Sequence, residues 1–248
     1  MAKEKIIITI LVILLLAGII TGIYLFRRSS IDKYEAPPFN PKDYNLFDLR
    51  DYNLIDENKK QLDPNDELTE KIIIYEYLPE DSTVLELGAR YGAVSLVIGN
   101  KLKNPSHHVV IEPDQVVWNA LETNKSKNGG KFTIIKGVLS KTPLYLQRAG
   151  YGSTTIDHAT EDSTVVPNIT FSELVKETNL LFDALVVDCE GCLEKVLLDF
   201  PSILDNMKFV TFEEDYKDKC NYDWIKSQLL IRGFFQTRDK FHQVWVKN

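Results

Sequence analysis

The sequence predicts an α/β domain: an open, largely parallel sheet with helices on both faces. Two observations predict it. Short β-branched and aliphatic runs that carry or deliver an acid recur along the chain, among them Val84-Leu85-Glu86-Leu87, Val109-Val110-Ile111-Glu112, Val186-Val187-Asp188 and Val210-Thr211-Phe212-Glu213, with helix-like stretches between them. The first run also meets a glycine turn, Gly88-Ala-Arg-Tyr-Gly92, after which Ala93-Val94-Ser95-Leu96-Val97-Ile98 restarts as a helix. In an open α/β sheet, strand, turn and helix make a cradle beyond the carboxyl end of the strand, where glycine lets the backbone approach a ligand.

At 248 residues the chain allows one domain of ordinary size plus extras. The extra comes first. Ile6 to Phe26 is 21 residues without a charge, enough to cross ~30 Å of hydrocarbon as a helix. A cleaved signal peptide has a shorter apolar region, ~7–15 residues, and no small-x-small cleavage site precedes Arg27. The expectation is a retained single-pass transmembrane anchor within residues 1–28. Lys3 and Lys5 on one side nearly balance Arg27, Arg28 and Lys33 on the other, so the flanking charges leave its orientation open. Residues 29–65 are polar and broken by Pro37, Pro38, Pro41 and Pro64. They read as a tether and lead-in, whose Tyr44, Leu46, Phe47 and Leu49 pack on the edge of a domain spanning 66–248.

The net charge is −7; residues 1–28 contribute +3, so the remainder carries −10. So acidic a domain is a poor electrostatic partner for phosphate backbones, and a nucleic-acid substrate is not expected. The three cysteines, Cys189, Cys192 and Cys220, make no disulfide framework and point to a reducing compartment. Cys189-x-x-Cys192 has the spacing of a redox or zinc pair. A redox pair wants a helix start and zinc wants a second pair of ligands, so neither is expected. The sequons at Asn124 and Asn168 weigh little against this.

Along the domain, Asp66 is placed to cap a helix running to about Tyr77, which Pro79 ends. After the glycine turn and its helix, residues 108–113 form a second strand delivering Glu112, with His107 and His108 read as surface residues at its entry. A helix over 116–127 stops at Asn128-Gly129-Gly130. Residues 132–135 are the third strand, followed by Gly137-Val138. Residues 141–168 show few helix signals and read as a substrate loop or, alternatively, an edge hairpin. A helix over 172–177 precedes the strand that ends in Asp188-Cys189-Glu190-Gly191, and 193–200 is helical again. Residues 208–214 are a fifth strand and 224–232 a helix stopped by Gly233; 234–237 and 243–246 form a closing antiparallel pair.

The pattern Glu86-x-Gly88-x-x-x-Gly92 lacks the third glycine of a dinucleotide fingerprint. An acid on the strand end suits a cationic amino-acid ligand better than a diphosphate. Glu112 lies about twenty residues beyond the turn, where a carboxylate in nucleotide-binding α/β folds grips the ribose hydroxyls. Asp188 and Glu190, two acids and a glycine at one strand end opposite the cradle, form the expected chemical centre.

The glycine turn looks like motif I of the class I S-adenosylmethionine (SAM) methyltransferases, and over roughly residues 66–246 the chain resembles the FkbM-type methyltransferases. The match is strongest in Val166-Pro-Asn-Ile-Thr-Phe-Ser-Glu-Leu174, Phe182-Asp183 and Val187-Asp188-Cys189-Glu190-Gly191-Cys192-Leu193-Glu194. The family usually shows Asp-x-Glu-Gly-x-Glu, so Glu194 stands one place late, and it often has aspartate where Ser172 stands. The resemblance implies a Rossmann-like class I methyltransferase sheet closed by the C-terminal hairpin. It implies that Glu86, Gly88 and Gly92 hold the methionine end of SAM, Glu112 the ribose, and Gly137 and Val138 the adenine neighbourhood. Asp188 and Glu190 then stand at the methyl-transfer centre.

The implied activity is O-methylation of a sugar, glycolipid or other small acceptor. On this reading Asp188 or Glu190 takes the acceptor's proton, with Glu213 or His242 in reserve. The same carboxylates also suit a divalent cation that orients sugar hydroxyls. The anchor fits an acceptor at a membrane, and SAM supply favours a cytosol-facing domain. The rival readings are an inactive methyltransferase-fold scaffold, which predicts a spoiled cradle, and a nicotinamide oxidoreductase, which lacks its third glycine.

Overall fold

A computed structural model describes residues 49, 52–149 and 152–247. The expected anchor, and Tyr44, Leu46 and Phe47 of the lead-in, lie outside the described residues. Among the described residues no helix is long and apolar enough to cross a membrane.

The strands in chain order are β1 (Val84–Leu87), β2 (His108–Glu112), β3 (Thr133–Lys136), β4 (Val138–Leu139), β5 (Leu144–Ala149), β6 (Gly152–Ile156), β7 (Thr164–Val166), β8 (Asn168–Ile169), β9 (Ala184–Val187), β10 (Phe209–Glu213), β11 (Phe235–Arg238) and β12 (His242–Val246). The helices are α1 (Leu68–Tyr77), α2 (Ala93–Lys101), α3 (Trp118–Lys127), α4 (Phe171–Thr178), α5 (Leu193–Asp199) and α6 (Tyr222–Ile231). Seven strands form the main sheet in the order β11-β12-β10-β9-β1-β2-β3. Within it β12 runs antiparallel to both its neighbours, while β10, β9, β1, β2 and β3 pair in parallel. This is the Rossmann-like mixed sheet with a closing hairpin that the sequence implies.

The chain steps outward from β1 to β2 and β3, then returns to the other flank of β1 as β9 and β10. Strand order therefore reverses between β1 and β9. Such a reversal opens a crevice at the carboxyl ends of the strands, the usual ligand position in open α/β sheets. Leu87 lies opposite both Ile111 and Val187, so Gly88, Glu112 and Asp188 leave the sheet side by side.

Side-chain alternation gives each interior strand two buried faces. Leu85, Leu87, Val109, Ile111, Leu185 and Val187 pack toward Leu174 of α4, Val196 of α5 and Ile225 of α6. Val84, Ala184 and Val186 point the other way, onto Ile73 and Ile74 of α1 and Val94 and Val97 of α2. Val110 packs with Leu121 of α3 on that side. Burial on both faces is why these strands read as nearly unbroken apolar runs.

Several expectations need correction. His108 is not a surface residue: it is fully buried, with Nε2 2.7 Å from Glu86 Oε2. A carboxylate inside a central strand needs a partner, and the neighbouring strand supplies one on the same face. Asp66 does not cap α1. Residues 63–66 form a turn in which the Asp63 carboxylate accepts from Asn65 N, and Glu67 takes the cap position with φ 56 and no side-chain cap bond. Residues 52–62 do more than lead in. Asn124, fully buried on α3, accepts from Ile55 N at 3.0 Å and donates to Ile55 O and Tyr91 O, both at 2.9 Å. That engagement leaves no room for a glycan on Asn124 in the folded chain.

Residues 141–168 are neither a loose loop nor a simple hairpin. β5 pairs antiparallel with both β6 and β7, giving a separate three-stranded sheet in the order β6-β5-β7. Leu144, Leu146 and Val166 share a small apolar core with Val138.

Candidate active site

The cradle is set by contacts between strand ends. Gly88 follows β1 with φ +85. Asp188 N donates to Leu87 O at 2.9 Å, which draws the end of β9 in closely. A Cβ on Gly88 would overlap the Asp188 carbonyl oxygen and lie 2.8 Å from its carbonyl carbon. Both the backbone conformation and the contact therefore demand glycine. Gly92 is the N-cap residue of α2, and its N–H donates to Ala89 O at 2.7 Å. It shapes the turn without lining the cleft.

Glu112, buried at the end of β2, ties the loops together. Its Oε2 accepts from Ala89 N at 3.0 Å and Arg90 N at 2.7 Å, and its Oε1 from Asp114 N at 2.7 Å. Burial pushes its carboxyl above the usual range, opposed by these backbone N–H bonds. A carboxylate offers about four lone-pair sites, so about one remains for a ligand hydroxyl, short of a bidentate ribose grip. Arg148 of β5 clamps the buried Asp114, Nη2 to Oδ1 at 2.7 Å. This pins the three-stranded sheet to the rim of the cradle.

These loops border a cleft of ≈ 300 Å³ at the carboxyl ends of β1, β2, β9 and β10, walled also by the start of α1, by Gly137, Val138 and Leu139, and by Gly152, Ser153 and Thr155 of β6. Glu67, Glu70, Glu86, Glu112, Asp188, Glu190 and Glu213 line it, against Arg90, Lys195 and His242. Lys195 is engaged elsewhere, with Nζ 2.6 Å from Asp199 Oδ2. Burial, then the charges of Glu213 and Glu190, holds the Asp188 carboxyl well above its usual range. Glu190 is raised by burial as well, opposed by its hydrogen bond with Tyr216. Glu213 is pushed up to about 9 by burial and its hydrogen bond with Glu70. Glu67 is pushed up to about 8 by burial and the charge on Asp188. His242 Nδ1 lies 2.8 Å from Glu213 Oε1, and burial holds its imidazole below the usual value. Acids crowded in a poorly solvated wall hold their protons until a cation enters.

Of the residues the sequence singles out, Glu86, Gly88, Glu112, Gly137, Val138, Asp188 and Glu190 line one cleft. Glu86 Oε2 is already committed to His108. Glu194, displaced from the family pattern, accepts from Asn221 N at 2.7 Å and so supports the start of α6. Sequence reasoning missed Glu67 and Glu70. A usable signal existed, since a helix that enters β1 from above must begin over the sheet's carboxyl end, bringing its first acids to the site. Among the described residues two groupings have ligand atoms within 4.8 Å of one another, Glu70-Glu213-His242 and Asp188-Glu213-Asp215. They are where a hard divalent cation would find oxygen donors.

The cysteine expectation is corrected here. Cys189 and Cys192 form a disulfide directly before α5, leaving Cys220 buried and free. The pair stands at the helix start that the sequence reading did not grant it.

The acidic wall predicts a pH dependence. Glu213 and Glu67 hold protons in the folded state that the unfolded chain releases near pH 4.5. Stability from each is therefore full below that pH and is lost as pH rises toward about 9 for Glu213 and about 8 for Glu67, with a slope of at most ~1.4 kcal/mol per pH unit per group. The thermal midpoint of the ligand-free protein should fall between pH 7 and 9, and Glu213→Gln should flatten the fall. Scanning calorimetry across that window checks it; equal slopes for both proteins would refute the assignment.

No protein-family model matches the chain, and no curated protein does. It is similar to several solved structures. One is a ribosomal protein L11 methylase from Lactobacillus delbrueckii subsp. bulgaricus, at 15% identity over 75% of this chain and 84% of that one, with TM-score 0.47. Another is a precorrin-6y C5,15-methyltransferase from Geobacter metallireducens, at 11% identity over 75% and 90%, with TM-score 0.46. A third is an O-methyltransferase from Bacillus cereus in complex with SAH, at 11% identity over 75% and 82%, with TM-score 0.45. Each is a similarity of fold and assigns no substrate.

Proposed function

We propose that the chain is a SAM-dependent methyltransferase of FkbM type, transferring a methyl group to a hydroxyl of a sugar, glycolipid or other small acceptor. One observation carries this reading: a nucleotide-sized cleft at the strand-order reversal, with a buried acid at the end of β2 and a wall of proton-holding carboxylates. That wall suits the sulfonium and ammonium of SAM and disfavours a diphosphate. The resemblance in residues 166–194 supplies the O-methylation and the acceptor class. The apolar run at 6–26 supplies a membrane anchor, with the catalytic domain facing the cytosol where SAM is made.

Methyl transfer from a sulfonium is an in-line displacement, favoured when nucleophile and methyl are held in register. Gly88 and the loop to Arg90 hold the methionine end, Gly137 and Val138 border the adenine, and Glu112 contributes its remaining lone pair to the ribose. On this reading Asp188 and Glu190, which line the cleft after β9, take the acceptor's proton.

Titration of SAM, then NAD, into the full-length chain by calorimetry tests the reading. Saturable SAM binding without NAD binding is expected. A folded protein that binds no SAM would move the assignment to a scaffold.

A further inference from the structure

Cys189 and Cys192 are half-buried, line the cleft, and are joined by a disulfide with their Cα atoms 5.4 Å apart. The small ring they close contains Glu190. Glu190 and Gly191 are both left-handed, with φ 56 and 89. For a residue with a side chain that conformation is strained, and it persists where the surroundings over-determine it. Here the restraints are the disulfide, Thr154 Oγ1 donating to Glu190 O at 3.2 Å, and the hydrogen bond between Tyr216 and the Glu190 carboxylate. They hold the carboxylate against β6, so that a Cβ on Gly152 would lie 2.6 Å from Glu190 Oε1.

Closing so short a loop removes less chain entropy than closing a long one, and both its ends belong to one turn between β9 and α5. Cys192 already has helical backbone, φ −72 and ψ −21. With the sulfur–sulfur bond open, residues 189–191 lose the one covalent restraint on their left-handed turn, and Glu190 keeps only its hydrogen bonds to Thr154 and Tyr216.

We propose that Cys189 and Cys192 form a redox-modifiable site whose opening by a thiol reductant releases Glu190 from the wall of the cleft. In the step, a thiolate of the reductant attacks one sulfur and forms a mixed disulfide as the Cys189–Cys192 bond breaks. A second thiol displaces the first, so two electrons and two protons pass to the cysteines and the reductant leaves as its own disulfide. The site stands on geometry alone; its consequence, methyl transfer gated by thiol state, rests on the function proposed above.

The test equilibrates the full-length chain, in mild detergent, with glutathione buffers from fully oxidised to fully reduced. Alkylation and mass spectrometry give the oxidised fraction of the peptide bearing both cysteines. Amide hydrogen exchange reads the backbone over residues 187–193. The protein isolated without reductant should yield the cross-linked peptide. Cys220, whose thiol burial pushes up, should stay unlabelled in both states. Exchange over 187–193 should rise about tenfold or more on reduction while β1 and β10 stay protected. Cys192→Ser should show the reduced pattern in every buffer, and the reduced wild-type protein gives the same information if that variant fails to fold. Absence of the cross-link, or equal exchange in both states, overturns the proposal. Neither readout uses SAM or an acceptor, so a failed SAM titration on the same sample would refute the methyl-transfer reading separately.

Discussion

Gly88→Ala is expected to lower SAM affinity by about 100-fold or more. Two costs combine. The left-handed backbone at φ +85 costs an alanine roughly 1 kcal/mol. The added carbon would also overlap the Asp188 carbonyl oxygen, and overpacking of this kind costs about 1–3 kcal/mol. Relief comes from parting the ends of β1 and β9, the two edges of the cradle. If ~3 kcal/mol falls on the bound geometry, affinity drops about 100-fold. Gly129 separates the two costs, because its φ is +69 but nothing lies within 4 Å of an added Cβ. Gly129→Ala should lose about 1 kcal/mol of stability in urea unfolding and keep its SAM affinity. Calorimetric titration of both variants decides; wild-type affinity in Gly88→Ala would remove the cradle from the binding site.

The reading of Gly88 from sequence worked because the constraint was local. A buried strand running into glycine states the turn, and the interior strands β1, β2, β9 and β10 announced themselves by apolar runs buried on both faces. Glu112, Asp188 and Glu213 were legible because acids cap those runs at one end of a parallel sheet. What failed was long-range. Nothing near His108 says that Glu86, 22 residues earlier, will need a partner. Asn124 stood out only as a formal sequon because its three backbone partners come from Ile55 and Tyr91. The paired strands of residues 141–168 were hidden by Gly150, Gly152 and Ser153, turn-favouring residues set among them. The disulfide was discounted on an odd cysteine count, although counting cannot show which two lie across a turn before a helix.

Asp188→Asn is expected to slow turnover by about 10²–10⁴-fold, the range for loss of a general base, while SAM affinity changes only a few-fold. The amide keeps the shape of the carboxylate, and the Asp188 backbone N–H still closes on Leu87 O, so the strand end stays in place. What disappears is the acceptor for the hydroxyl proton. Because burial and the neighbouring acids hold the Asp188 carboxyl well above its usual range, its ionisation is displaced upward in pH. The wild-type rate should therefore climb with pH as the carboxyl ionises, and the variant should lose that limb. Label transfer from methyl-tritiated SAM to a membrane glycan fraction, followed from pH 6 to 9, measures both. Glu190→Gln is the necessary companion, since Glu190 is raised by burial as well and is hydrogen-bonded to Tyr216. If Glu190→Gln abolishes the limb and Asp188→Asn keeps it, the base is Glu190 and Asp188 only tunes it. If both variants keep rate and limb, the strand-end acids do not carry the proton, and Glu213 with His242 becomes the pair to replace next.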